Sequence, residues 1–86
     1  MRLRLEFTTE PFDLDEPPEH AVVARGVVQQ AALENVEVGP FGTTAEGAAE
    51  DVLAAVQLVL HRSLEVGATR ISLQLNALGD GPERGA

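Results

Sequence analysis

The order in which the hydrophobic periodicity changes along this chain constrains its fold more than any single motif does. In some segments apolar residues alternate with polar ones, which is typical of half-buried strands. In others they recur every three or four residues, which is typical of amphipathic helices. The periodicity predicts the order strand, helix, strand, strand, helix, strand. These elements are expected at about residues 2–9, 18–32, 34–38, 42–46, 48–66 and 70–76.

This order of elements is the one found in ferredoxin-like folds. We therefore predict an α+β protein with a ferredoxin-like β-α-β-β-α-β arrangement, in which two helices cover one face of a four-stranded antiparallel sheet. The opposite face of the sheet is expected to be polar and open to water or to a second subunit. Its side chains would be those of Arg4, Glu6, Thr8, Ser72, Gln74 and Asn76.

Each predicted helix has one apolar face. In the first helix His20 points inward at the first turn, where a histidine that is simply part of the core edge is more common than a ligand-binding one. In the second helix Leu58 lies off the apolar face and His61 points to water. The apolar face of the second helix is predicted to consist of Val52, Leu53, Val56, Val59, Leu60, Leu64 and Val66.

The length of the chain limits it to one domain. Its 86 residues can bury one hydrophobic core and not two. The domain is expected to span residues 1–78, followed by a flexible tail at 79–86 that has no apolar residue able to anchor it. Because such a core is small, self-association would add stability, most simply as a two-fold dimer.

Charge and composition exclude several classes of function. The formal net charge of −8 repels nucleic acid and anionic membrane surfaces, but it permits a cationic small ligand. The chain contains neither cysteine nor lysine, which excludes disulfides, thiolate nucleophiles and Schiff bases. No long apolar run suggests a signal peptide or a membrane span, so a cytoplasmic location is expected.

The segment Val38–Gly47 concentrates the unusual residues of the chain. Its glycines and proline predict a tight hairpin, followed by a short strand and a junction with the second helix. This arrangement would present the hydroxyls of Thr43 and Thr44 together with the carboxylate of Glu46. Glycine, proline and threonine are also common in ordinary turns, and a turn without any binding role is the simpler interpretation.

The same segment resembles part of a known family, the small thiamine-binding proteins of the YkoF-like superfamily. It is similar to that family's run of proline, glycine, threonine, a spacer and Glu-Gly before the second helix. Two weaker similarities are Thr8 placed three residues before Pro11, and the run Gly67–Arg70. The resemblance covers the chain from Leu3 to Leu75. The chain differs from the family at His20, where the family often has an aromatic hydroxyl.

The resemblance implies a protein that binds thiamine or its hydroxymethylpyrimidine moiety without a catalytic step, a required cofactor or a metal. It also implies assembly through the sheets into dimers or tetramers. Glu46 would meet a ring nitrogen or amino group of the ligand in a charge-assisted hydrogen bond, and Phe41 would stack on a ring. The complete set of ligand-binding residues would be Thr8, His20, Phe41, Thr43, Thr44 and Glu46.

Two other classes of function remain open from the sequence. The first is a ligand-free interaction module of ferredoxin-like fold, whose polar sheet face serves oligomerisation. The second is a small enzyme, for which the chain offers few groups able to act as nucleophile, base and oxyanion stabiliser. An enzyme would require His20 and Glu46 to lie within hydrogen-bonding distance of each other.

Overall fold

The computed structural model describes residues 1–13, 15–39 and 42–79. It has six elements in the predicted order, so the pattern of periodicity identified every strand and helix. The elements are β1 (Arg2–Glu10), α1 (Glu19–Gln30), β2 (Glu34–Val38), β3 (Thr43–Ala48), α2 (Ala49–Glu65) and β4 (Arg70–Gly79).

The four strands form one antiparallel sheet in the order β2-β3-β1-β4. Together with the two helices, this topology confirms the predicted ferredoxin-like α+β fold. β1 lies between β3 and β4, and its two partners differ in extent. β3 pairs with β1 only as far as the Phe7–Thr43 pair, whereas β4 continues to the Glu10–Arg70 pair. In the part of the chain that the structure describes, the last three residues of β1 therefore pair with β4 alone.

The hydrophobic core lies between the sheet and the helices. Alternate residues of β1 and β3 point to it because successive side chains of a strand face opposite sides of the sheet. Both helices contribute valine and alanine to the core cluster, whereas its larger side chains come from β1. The core cluster consists of Leu3, Leu5, Phe7, Ala24, Val27, Val28, Ala45, Val52 and Val59.

The third strand ends later than predicted, because Gly47 as well as Glu46 belongs to β3, which continues to Ala48. Gly47 is buried and lies opposite Leu3 in the sheet. A Cβ atom at Gly47 would come within 2.9 Å of Leu33 Cδ2. The glycine therefore permits close packing within the strand, and pairing with β1 outweighs its low strand propensity.

The predicted apolar face of α2 is rotated relative to the observed one. The buried residues of α2 are Val52, Ala55, Val59 and Ser63. Leu53, Leu60 and Leu64 are instead exposed, at 49%, 36% and 56% of their surface. Small side chains at Ala55 and Ser63 let the helix approach its neighbours closely, so these positions face inward although the leucines are more hydrophobic. Leu58 is exposed, as predicted.

The C-terminal strand is longer than predicted, since β4 continues to Gly79. The remainder of the predicted tail, residues 80–86, lies outside the described residues. Leu75, predicted to face the core, is 38% exposed. Among the described helices, neither is long and apolar enough to cross a membrane.

Candidate functional site

The structure distributes the predicted ligand-binding residues over both faces of the sheet. Phe41 lies outside the described residues. Of the others, Thr43 and His20 are buried on the side of the helices. Thr8, Thr44 and Glu46 alternate with buried neighbours and therefore point to the outer face. The predicted single cluster of hydroxyls and carboxylate is thus divided by the sheet itself.

A cavity of about 160 Å³ lies on the helix side, at the end of β1. We call it the end cavity. Its walls are the last residues of β1, the loop that leads to α1, the first turns of α1 and the start of β3. Its apolar walls include Phe7, Phe12 and Pro11. Its polar and charged lining residues are Thr8, Thr9, Asp13, Arg25 and Thr43.

The loop beside the end cavity is organised by Asp13. The Oδ1 atom of Asp13 accepts hydrogen bonds from the backbone N–H groups of Asp15 at 3.0 Å and Glu16 at 3.3 Å. This side-chain turn brings the chain to Pro17 and Pro18, which precede α1. Among the described residues that line the end cavity, Asp13 provides a carboxylate and Arg25 a guanidinium. Sequence reasoning did not select either residue, because neither belongs to a recognisable motif.

A second concavity, which we call the sheet hollow, lies on the outer face and has a volume of about 460 Å³. Its polar lining residues are Glu6, Thr8, Thr43, Thr44, Ser72 and Gln74. The sheet hollow and the end cavity share four lining residues, which are Phe7, Thr8, Gly42 and Thr43. The end cavity and the sheet hollow therefore adjoin at the first residue of β3, next to the last residues of β1.

Gly42 lies on the boundary between the end cavity and the sheet hollow. A Cβ atom at this position would be 3.2 Å from the carbonyl oxygen of Phe7 and 3.2 Å from Thr8 Cγ2. These distances are shorter than ordinary van der Waals contacts. The absence of a side chain at Gly42 thus lets the Phe7 carbonyl and Thr8 pack closely against it.

Glu46 lines a different and smaller hollow of about 170 Å³ on the outer face, together with Arg4, Asn35 and Glu37. Its Oε1 atom accepts a hydrogen bond of 3.0 Å from Asn35 Nδ2. Thr44 is the residue that this hollow shares with the sheet hollow.

The carboxylate that lines the sheet hollow is that of Glu6, and sequence reasoning assigned it only to the solvent-facing side. Glu6 pairs directly with Thr44 across β1 and β3. Its Oε1 atom lies 3.9 Å from Arg4 Nη2. The sequence could have indicated Glu6 as a lining residue only through the strand register, in which Glu6 lies opposite Thr44. That register depends on the residue at which β3 begins.

His20 lies in the helix layer and is 3% exposed. Its Nδ1 atom is 2.8 Å from Thr9 Oγ1, and its buried Nε2 atom has no hydrogen-bond partner among the described residues. Thr9 lines the end cavity, whereas His20 lines none of the three hollows. His20 and Glu46 lie on opposite sides of the sheet, so the pair that an enzyme would have needed is not assembled. Within the described residues no group of His, Asp and Glu side chains could hold a metal ion.

The fold resembles several solved structures. One is a protein from Methanocaldococcus jannascii, with a TM-score of 0.70 and 21% identity, covering 94% of this chain and 84% of that one. Another is a domain of unknown function from Bacillus cereus, with a TM-score of 0.64 and 24% identity, covering 87% and 72%.

A third similar structure, from Thermotoga maritima, is described as that of a candidate thiamine biosynthesis or salvage protein. It has a TM-score of 0.65 and 23% identity, covering 88% of this chain and 81% of that one. No curated protein matches the chain significantly. The family model described as thiamine-binding protein matches residues 5–79, and the chain therefore belongs to the thiamine-binding protein family.

Proposed function

We propose that this protein binds thiamine or its hydroxymethylpyrimidine moiety, without catalysing a reaction, where the end cavity and the sheet hollow adjoin. The observation that carries the proposal is that the two spaces share Thr8, Gly42 and Thr43 in a member of the thiamine-binding family. A cavity of about 150 Å³ can hold one benzene ring. The end cavity, at about 160 Å³, is thus of a size suited to the pyrimidine ring.

The polar groups of the end cavity fit the edge of an aminopyrimidine. Such a ring presents both hydrogen-bond donors and acceptors, and the hydroxyls of Thr8 and Thr43 can act in either way. His20 would act indirectly, by holding Thr9 at the wall of the cavity through their hydrogen bond. Phe41 precedes Gly42 in the sequence, and we retain it as a ring-stacking residue in this proposal.

The outer face offers negative charge for the thiazolium ring, which is permanently positive. Glu6 lies beside Thr44 in the sheet hollow, and Glu46 lies on the other side of Thr44 in the adjoining hollow. A carboxylate attracts the fixed positive charge of the thiazolium ring, whereas a neutral pyrimidine carries no such charge. We therefore propose that intact thiamine extends from the end cavity towards Thr44 and these two carboxylates, and that free hydroxymethylpyrimidine does not reach them.

The biological role consistent with this site is that of a carrier, a sensor or a salvage partner for the vitamin in the cytoplasm. The protein would act as a homo-oligomer in which outer sheet faces stack. The alternative is an interaction module that binds no ligand. Self-association without heat on titration with any pyrimidine would support that alternative.

Calorimetric titration of the wild type with thiamine, hydroxymethylpyrimidine and a neutral pyrimidine tests the proposal. The decisive variant is Gly42→Ala, whose new methyl group would crowd Thr8 and the Phe7 carbonyl at the shared boundary. Overpacking at this position should lower the free energy of unfolding by about 1 to 3 kcal/mol. A displaced Thr8 hydroxyl should also lose its hydrogen bond to the ligand, a loss of about 0.5 to 1.5 kcal/mol that corresponds to binding weakened roughly 2- to 13-fold.

Gly26→Ala is the matched control, because a Cβ atom at this helical position meets nothing within 4 Å. It should leave binding unchanged and raise the free energy of unfolding by about 1 kcal/mol. Equal affinities for Gly42→Ala and Gly26→Ala would show that the ligand does not occupy the shared boundary. A wild type that binds none of the three compounds would refute the proposed function altogether.

A further inference from the structure

We propose that Asp13 and Arg25 determine which pyrimidine the end cavity accepts, and that they select an aminopyrimidine over the corresponding oxopyrimidine. The carboxylate of Asp13 accepts a hydrogen bond from the exocyclic amino group, and the guanidinium of Arg25 donates one to the adjacent ring nitrogen. This inference rests on the proposed function, because it concerns the same cavity. It adds the chemical feature of the ligand that is recognised and the two residues that recognise it.

Asp13 and Arg25 line the same cavity, but they do not form an ion pair with each other. Three other arginines, Arg2, Arg4 and Arg70, each form an ion pair with a glutamate. In the part of the chain that the structure describes, Arg25 has no such partner, although it is half-buried and the chain has 14 acidic residues for 6 basic ones. The guanidinium of Arg25 is therefore available to a ligand in the cavity.

Asp13 is held in position through only one of its two carboxylate oxygens. Oδ1 accepts the hydrogen bonds from the backbone N–H groups of Asp15 and Glu16. No described residue donates a hydrogen bond to the second oxygen, Oδ2. A side chain that its own turn already fixes loses little conformational freedom when a ligand binds. Oδ2 is thus the atom of Asp13 that can accept a hydrogen bond from the ligand.

Arg25 borders the end cavity from α1, whereas Asp13 borders it from the loop that precedes this helix. Ala21 lies one turn before Arg25 on the same face of α1 and also lines the cavity. The small side chain of Ala21 leaves room for a ring between the loop and the guanidinium. Because Arg25 is half-buried, water competes less for its N–H groups than it would at a fully exposed site.

The charged pair can distinguish ligands that the threonines of the cavity cannot. The hydroxyls of Thr8 and Thr43 both donate and accept, whereas a carboxylate only accepts and a guanidinium only donates. In an aminopyrimidine the amino group donates and the adjacent ring nitrogen accepts. In the oxo analogue the carbonyl oxygen accepts and the adjacent ring N–H donates. The oxo analogue would therefore oppose acceptor to acceptor at Asp13 and donor to donor at Arg25, and such mismatches cause a site to reject a ligand.

The opposite charges of Asp13 and Arg25 also suit a ring without net charge. Together the two side chains contribute no net charge to the cavity, so they favour neither a simple anion nor a simple cation. The permanently positive thiazolium ring of thiamine would instead meet Glu6 and Glu46 in the hollows of the outer face. The two parts of thiamine are thereby recognised by different groups.

Calorimetric titration with hydroxymethylpyrimidine and with its oxo analogue, in which a carbonyl oxygen replaces the amino group, tests the inference. The wild type should bind the amino compound at least about 10-fold more tightly. The decisive variant is Asp13→Asn, because the amide oxygen can still accept the two backbone hydrogen bonds while an NH₂ donor replaces Oδ2. It should bind hydroxymethylpyrimidine roughly 10- to 150-fold more weakly and the oxo analogue at least as tightly as the wild type does.

Arg25→Gln is the second variant, since it removes the charged donor and introduces a residue that favours helices as arginine does. It should also weaken the binding of hydroxymethylpyrimidine. Asp15→Asn and Arg62→Gln are the matched controls. They make the same changes of charge at exposed residues that line none of the three hollows. Both controls should keep the wild-type ratio of the two dissociation constants.

The outcomes separate this inference from the proposed function. A wild type that binds both compounds equally would refute the inference and leave the proposed function standing. A wild type that binds neither compound would refute both. An unchanged ratio in Asp13→Asn, equal to that of Asp15→Asn, would show that Asp13 does not contact the ligand. Far-UV circular dichroism shows whether each variant is folded, and binding of the oxo analogue by Asp13→Asn would show that its cavity is intact.

Discussion

Removal of the hydrogen bond between His20 and Thr9 should lower the free energy of unfolding by more than one hydrogen bond ordinarily contributes. Both residues are buried, at 3% and 7% exposure, and the Nδ1 and Oγ1 atoms are 2.8 Å apart. The other ring nitrogen, Nε2, is buried, and no described residue offers it a hydrogen bond. Thr9→Val keeps the shape of the side chain and removes the hydroxyl, so that both nitrogens of His20 would lack partners.

The expected loss follows from the asymmetry of buried hydrogen bonds. Leaving one buried polar atom without a partner costs about 1 to 3 kcal/mol, more than the bond itself contributes. Valine favours strands slightly more than threonine does, which offsets only a few tenths of this loss. In a domain of this size, each kcal/mol lowers Tm by about 4 to 8 °C.

Urea unfolding monitored by circular dichroism measures the effect, with Thr69→Val as the matched control. The hydroxyl of Thr69 donates a hydrogen bond of 3.3 Å to the carbonyl oxygen of Glu10, but it does so at the surface. Its removal should change the free energy of unfolding by no more than about 0.5 kcal/mol. Equal losses in Thr9→Val and Thr69→Val would refute the reasoning.

A double mutant separates the hydrogen bond from the other effects of substitution. His20→Leu alone leaves the hydroxyl of Thr9 buried without its partner, whereas Thr9→Val combined with His20→Leu removes both polar groups. Because replacing both partners by apolar groups can be nearly neutral, the double variant should lose less stability than the sum of the single ones. A coupling energy of about 0.5 to 3 kcal/mol is expected. Strict additivity would mean that the two side chains do not depend on each other.

Two further predictions concern the carboxylates of the outer face and the orientation of α2. Glu6→Gln and Glu46→Gln should each preserve the fold. At least one should weaken thiamine binding by about 1.5 to 3 kcal/mol while hardly changing hydroxymethylpyrimidine binding, as measured by calorimetry. Val59→Ala should lower the free energy of unfolding by about 2 kcal/mol, because Val59 is fully buried. Leu64→Ala, at a residue 56% exposed, should lower it by less than about 0.5 kcal/mol in the same urea titration, and a reversed order would contradict the observed helix face.

The periodicity of the sequence was sufficient to predict the fold, since six segments with clear periods leave few possible topologies. It was less informative about which side of α2 faces inward. Hydrophobicity alone would place the leucines of α2 in the core. Close packing instead requires small residues such as Ala55 and Ser63 on that side. The elements that pack against α2 decide which of the two prevails. The end of β3 was missed for a similar reason. A glycine before a helical pattern resembles the end of a strand. In the structure Gly47 instead pairs with Leu3 of β1 and packs closely beside Leu33.

The sequence grouped Thr43 with Thr44 and Glu46, and the structure separates these side chains for a definite physical reason. Thr43 and Thr44 were grouped because they are adjacent in sequence, although adjacent residues of a strand point to opposite faces. Once the segment is identified as a strand, this alternation alone separates Thr43 from Thr44 and Glu46. Asp13 and Arg25 could not be found in this way, since the loop after β1 brings them to the end cavity without a periodic pattern.

The position of the two adjoining spaces follows from a difference in strand length. β3 begins opposite Phe7, while β1 continues to Glu10 beside β4, so among the described residues Thr8, Thr9 and Glu10 pair with β4 alone. Side chains from both faces of β1 therefore border the space beside Thr8, Thr9 and Glu10. Thr9 and Thr43 border it from the helix side, and Thr8 from the outer face. A β3 strand longer by two residues at its start would fill this gap with paired backbone. The proposed site thus depends on where pairing stops, and the glycine at that point, Gly42, is the residue whose substitution tests it most directly.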